Sequence, residues 1–112
     1  MNQEKINQVL AEIKDKISSA MGNDLIQARL FGSCARGDYN NESDMDIVLF
    51  TRCSREKNEE YLDSLIDIGA DIMNGYDVLV NFIYFPMQEF EKRKSWYPLF
   101  ENIDREGVTF YG

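Results

Sequence analysis

The chain has 112 residues and two cysteines, which is enough for one domain (1–112) and too few thiols for a disulfide framework. Twenty acidic residues against twelve basic ones leave a net charge of −8. That argues against direct nucleic-acid binding, because a phosphate backbone is neutralised by clustered Lys and Arg. With no histidine, the commonest general base and zinc ligand are excluded, so any catalysis here must run on carboxylates, hydroxyls, a thiol or metal ions.

The composition, 44% hydrophobic and 29% charged, is that of a globular domain able to bury roughly two-thirds of its unfolded surface. The chain opens on MNQEKINQVLAEIKDKI, charged and amphipathic rather than signal-like. No apolar run approaches the roughly 18–20 residues of a membrane span. The expectation is a cytoplasmic protein with no membrane association.

Ile6, Val9, Leu10, Ile13 and Ile17 recur at three- and four-residue steps and predict a helix over 2–20, ended by Gly22-Asn23. LIQARLF, 25–31, predicts a short strand. Gly32-Ser33 breaks the pattern, a helical turn fits 34–37, and DYNNES, 38–43, is a polar loop. A second strand covers 45–50, followed by a charged loop at 51–56. Leu62, Leu65, Ile66, Gly69, Ile72 and Met73 predict a helix over about 56–73 with a stop at Asn74-Gly75. DVLVNFIYF, 77–85, predicts a third strand closed by Pro86. Two short helices, about 87–94 and 97–106, and a final strand at 108–111 complete the chain. The order predicts an α/β (α+β) domain, a small mixed sheet with helices packed on one side. The helix between the second and third strands is compatible with a parallel crossover.

Asp44 and Asp46 lie two residues apart at the start of the second strand, and side chains two apart on a strand share a face. Carboxylates this close repel unless a cation sits between them or one takes up a proton. Magnesium, which prefers oxygen ligands and uses one or two carboxylates plus substrate phosphates, removes the conflict. Asp77 opens the third strand on this reading and is the third candidate ligand, and three such carboxylates can hold two ions about 3.5–4 Å apart. The turn Gly32-Ser33 before a short helix suits phosphate, with glycine allowing close approach and free N–H groups pointing outward. Arg36 has two open roles, a phosphate contact or an ion pair with Asp38 or another acid. Cys34, near a helix start, is expected to be structural rather than reactive. Phe82, Tyr84 and Phe85 are expected in the core, and Trp96-Tyr97-Pro98-Leu99-Phe100 either in the core or in a docking patch.

Gly32-Ser33, ten residues, then Asp44-x-Asp46 resembles the signature of the DNA polymerase β-like nucleotidyltransferases. The fuller string GSCARGDYNNESDMDIVLF, Asp77 in YDVLVNF and the ending IDREGVTFYG resemble the minimal nucleotidyltransferase (MNT) family over nearly the whole chain. Cys34 departs from that pattern, where a larger polar or basic residue is commoner. The resemblance implies a polymerase β-like palm fold, a mixed sheet flanked by helices. It implies transfer of a nucleoside monophosphate, AMP from ATP, to a hydroxyl acceptor, with two Mg2+ ions on Asp44, Asp46 and Asp77. Gly32 and Ser33, with Arg36 as a further contact, would bind the nucleotide, and Asp77 would help deprotonate the acceptor. It further implies an antitoxin that adenylylates a tyrosine of a cognate HEPN-type toxin, within a homo- or hetero-oligomer. Two alternatives stay open: an antitoxin that acts by binding alone, and a small-molecule, antibiotic-type nucleotidyltransferase.

Overall fold

The periodic apolar positions of the N-terminal segment form α1, Gln3–Met21, in the computed structural model, which describes residues 1–112. Asn2 caps it by accepting from the Lys5 N–H at 2.8 Å, satisfying one of the donors that a helix start leaves free. Ile6, Val9, Ile13, Ile17 and Met21 form its buried stripe, each worth up to about 1.5–3 kcal/mol relative to exposure. Gly22 ends it at φ 55°.

Four strands follow the predicted order. β1 is Leu25–Phe31, β2 Met45–Thr51, β3 Val80–Pro86 and β4 Val108–Tyr111. They form one mixed sheet in the order β3-β2-β1-β4, with β1 antiparallel to β2 and β4, and β2 parallel to β3. The crossover between β2 and β3 consists of α3, Arg55–Asn58, a single tighter turn over 59–61, and α4, Leu62–Tyr76. The short α2, Ser33–Arg36, lies between β1 and β2, while α5, Met87–Arg93, and α6, Pro98–Glu106, lie between β3 and β4.

The sheet is covered on both faces, which corrects the expectation of helices on one side. Met45, Ile47 and Leu49 pack with the α1 and α4 stripes in the larger core. The alternate residues Val48 and Phe50 pack with Phe90 of α5 and with Phe100 and Ile103 of α6. The run Ile47-Val48-Leu49-Phe50 is therefore apolar without alternation because β2 is buried on both sides. Arg29 fastens the second layer: its Nη1 donates to the Ile103 carbonyl at 3.3 Å, and its guanidinium lies 5.4 Å from the Phe50 and Phe90 ring centres.

The helix expected over about 56–73 is divided into α3, the tighter turn and α4, and the boundary that follows it differs from the sequence reading by three residues. α4 runs through Asn74-Gly75 to Tyr76 and stops at Asp77, whose left-handed backbone (φ 56°) lets its N–H bond the Met73 carbonyl at 2.9 Å. β3 accordingly begins three residues late, at Val80, with Val78 buried as a core residue on the way in. No helix is long and apolar enough to cross a membrane.

Candidate active site

Because β1 runs antiparallel to β2 while β2 and β3 run parallel, the end of β1 meets the beginnings of the other two. Phe31, Asp46 and Asn81 are neighbours across the three strands in register. They lie on the face that carries Val48 and Phe50, with Phe31 packed against that smaller core. Asp44 precedes β2 by one residue; the Met45 N–H bonds the Leu79 carbonyl at 2.9 Å and fixes the strand entry beside β3. Asp46 is half-buried and Asp44 exposed.

Gly32 follows Phe31 directly, buried, at φ 79° and ψ −156°, a region that only glycine visits readily. A Cβ at this position would stand 2.5 Å from Asp46 Oδ2. The turn and the carboxylate pair are therefore one site, brought together in space as well as in sequence. Arg36 and Gly37 close the α2 turn through N–H bonds to the Gly32 and Ser33 carbonyls at 3.1 and 2.9 Å. The first N–H groups of such a turn have no partner within it.

Cys34 lies under the pair. It is buried, and its thiol donates to the Asp44 carbonyl at 3.5 Å. Burial pushes its pKa up, and the nearby Asp46 and Asp44 charges add to the rise against a smaller lowering from Ser33. The thiol is a packing and positioning group. Arg36 forms ion pairs: Nε lies 3.3 Å from Asp38 and Nη1 3.6 Å from Glu106 at the end of α6.

Asp77 is not brought to this pair. It caps α4, exposed, in a hollow shared with Asn2, Lys5 and Gln8 at the start of α1. The expected group of three carboxylates is corrected to two carboxylates and an amide: no cluster of three acidic or thiol groups with metal-ligand geometry is present. The residue next to Asp46 on β3 is Asn81, whose Nδ2 donates to Asp46 Oδ1 at 3.0 Å and lies 3.5 Å from Asp44 Oδ2. Sequence reasoning missed Asn81. The available signal was the polar residue inside the apolar run VLVNFIYF, at the position that pairs with Asp46 once the strand starts at Val80.

The donor set fits one hard divalent cation, with two carboxylates two residues apart and a glycine leaving room beside one of them. An apolar groove between α4 and β3 is lined by Leu62, Ile66, Met73 and Leu79, with Asn81 also in its lining. These four side chains are exposed. In the aromatic stretch near the C-terminus, Phe100 is core while Trp96 and Tyr97 are exposed. Phe82 and Tyr84 pack on the larger core and Phe85 on the smaller.

A family model described as nucleotidyltransferase domain matches residues 6–106. The Methanocaldococcus jannaschii protein named "Putative protein adenylyltransferase MJ0604" is 31% identical over 111 residues, covering 99% of this chain and 100% of that protein. A second protein of that organism, "Putative protein adenylyltransferase MJ0141", is 32% identical over 81 residues, 72% of this chain and 80% of its own length. Among solved structures, one described as a "putative nucleotidyltransferase" from Sulfolobus solfataricus superposes with a TM-score of 0.57 at 23% identity, covering 96% of this chain and 83% of that one. A toxin–antitoxin crystal structure with AMP-PNP superposes with a TM-score of 0.58 at 19% identity, covering 100% and 74%. At these identities, the two structural likenesses are likenesses of fold.

Proposed function

The chain belongs to the nucleotidyltransferase domain family, and we propose that it transfers AMP from magnesium-bound ATP to a protein hydroxyl, a tyrosine of a cognate HEPN-type toxin, and so acts as an antitoxin. The observation that carries this reading is the contact of Gly32 with Asp46, which brings a turn suited to phosphate and a carboxylate pair suited to a cation into a single site. The full-length similarity to a protein named as an adenylyltransferase and the fold shared with a toxin–antitoxin structure holding AMP-PNP support the choice of acceptor and nucleotide.

In this reading the Gly32 backbone admits the triphosphate close to the sheet, and the N–H and hydroxyl of Ser33 donate to its phosphate oxygens. Asp44 and Asp46 hold the cation, which when bound supplies the positive charge that a −8 protein lacks and neutralises charge developing on the phosphates. The acceptor hydroxyl oxygen forms a bond to the α-phosphorus, the bond to the β-phosphate oxygen breaks, and pyrophosphate and a proton leave. Arg36, whose Nε and Nη1 face Asp38 and Glu106, would reach a phosphate through its remaining Nη2 donors or by exchanging one of the two acids for the ligand. The apolar groove whose lining includes Asn81 gives a protein acceptor a surface near the carboxylate pair.

A second reading, silencing of the toxin by binding alone, is favoured by the amide at position 81, which takes no proton from an acceptor. The two readings are separated by incubating the protein with Mg2+, ATP and the protein encoded beside it, and weighing the products intact. A gain of one AMP on the neighbour, absent with Asp44→Asn, establishes the transfer. A tight complex that neutralises the neighbour with no mass gain establishes the second reading.

A further inference from the structure

We propose that Asn81 sets the cation capacity of this site: the Asp44–Asp46 pair takes one divalent ion, and the Asn81 amide occupies the place from which a second would be held. The inference rests on Asp44 and Asp46 being cation ligands, as proposed above.

The register puts Asn81 directly beside Asp46 across the parallel pair β2–β3. Its amide nitrogen donates to Asp46 Oδ1 at 3.0 Å and reaches Asp44 Oδ2 at 3.5 Å. An N–H donor and a cation ask for the same carboxylate lone pairs. The two oxygens of Asp46 are thereby divided. Oδ1 is engaged by Asn81, while Oδ2 is turned toward Gly32, on the side where the missing Cβ leaves room. A cation between Asp44 and Asp46 Oδ2 therefore sits beside the turn and away from β3.

Charge leads to the same count. Two carboxylates balance one divalent ion. A second ion would add two positive charges at a distance where like charges repel, and would need a further anionic ligand. None stands with the pair. Asp77, the acid nearest to Asn81 along the chain, is held as the cap of α4 by its bond to the Met73 carbonyl. Asn81→Asp would add the missing negative charge at the one position already in register with Asp46.

The test is to count Mn2+ bound to the purified chain by the electron paramagnetic resonance signal of the free ion, without nucleotide. Only ions that Asp46→Asn loses are assigned to the site, since an acidic surface also gathers diffuse cations. The expected result is one ion per chain in the wild type, one in Asn81→Ala, and two in Asn81→Asp. Two site-bound ions in the wild type or in Asn81→Ala would overturn the proposal, and so would a folded Asn81→Asp that still binds one. Should Asn81→Asp fail to fold by thermal melting, the wild-type and Asn81→Ala counts decide alone. A wild type with no site-bound ion would instead remove the reading of Asp44 and Asp46 as ligands, and this inference with it.

Discussion

Asp46 Oδ2 lies where residue 32 has room for a hydrogen and no more: a Cβ there would stand 2.5 Å away. Gly32→Ala therefore meets two penalties at once. Its backbone angles, φ 79° and ψ −156°, belong to a region that is nearly glycine-only and cost about 1–3 kcal/mol for another residue. The methyl also pushes the Asp46 carboxylate away from the turn. The variant is expected to melt several degrees lower, to lose Asp46-dependent Mn2+ binding, and to lose AMP transfer even well below its melting temperature. A stable Gly32→Ala chain with wild-type transfer would separate the turn from the carboxylates and undo the argument for one site.

Asp44 tests the site with the least disturbance to the fold. It is exposed, precedes β2, and its side chain has one weak partner, the Asn81 amide at 3.5 Å. The backbone carbonyl that Cys34 bonds is untouched by substitution. Asp44→Asn is expected to keep the wild-type melting temperature and circular dichroism. Transfer should fall by at least about a hundredfold, the upper end of what residues behind a metal's ligands cost when removed. A wild-type rate in this variant would show that the pair is not the reaction centre.

The sequence made the architecture readable where pattern and chemistry agreed. β1 at 25–31 and the α1 stripe follow from spacing alone, and Gly32-Ser33 with Asp44 and Asp46 from residue type at a given separation. The misreading at Asp77 has a definite cause. Asn74-Gly75 looks like a helix stop, and Asp at the head of an apolar run looks like a strand start, so both local signals favour a boundary near 75–77. The helix instead continues one residue past Gly75, because Asp77 adopts the left-handed conformation that ends it. Moving the strand start to Val80 exchanges one acid for one amide beside Asp46. Pairing across strands is a long-range fact, and a register shift of this kind is invisible to periodicity within a single segment. The second helical layer was missed for a related reason: an unbroken apolar run does not say what covers its far side.

Asp77 as a cap gives an expectation opposite in sign to Asp77 as a ligand. A carboxylate at a helix C-terminus faces the negative end of the helix dipole, and Asn tolerates the left-handed cap at least as well. Asp77→Asn is expected to raise stability by about 0.3–1 kcal/mol and to leave transfer unchanged. Melting and transfer rate measured on the same preparation check both parts. A large loss of transfer with no gain in stability would return Asp77 to the reaction.

The last prediction concerns how the second helical layer is held at acid pH. Glu89 of α5 receives Arg55 Nε at 2.9 Å together with the Arg55 Nη2 group, and Arg93 stands 3.2 Å away. The Arg55 hydrogen bonds hold its carboxyl below the ordinary value of 4.5, with burial opposing and the charges of Arg55 and Arg93 adding to the lowering. A carboxylate whose pKa is depressed by folding binds fewer protons in the native state than in the unfolded one. Its contribution is complete above the unfolded value and disappears as pH falls through the lower folded value. Glu89→Gln is therefore expected to melt below the wild type at about pH 7, and the gap between the two is expected to close as pH falls from about 5 toward 3. Melting curves of both proteins across that range measure it. A gap that stays constant with pH would mean that the amide disturbs the site, which is only 14% exposed, by facing the Arg55 donors with a donor of its own, and that the charge of the α3–α5 ion pair contributes nothing to stability.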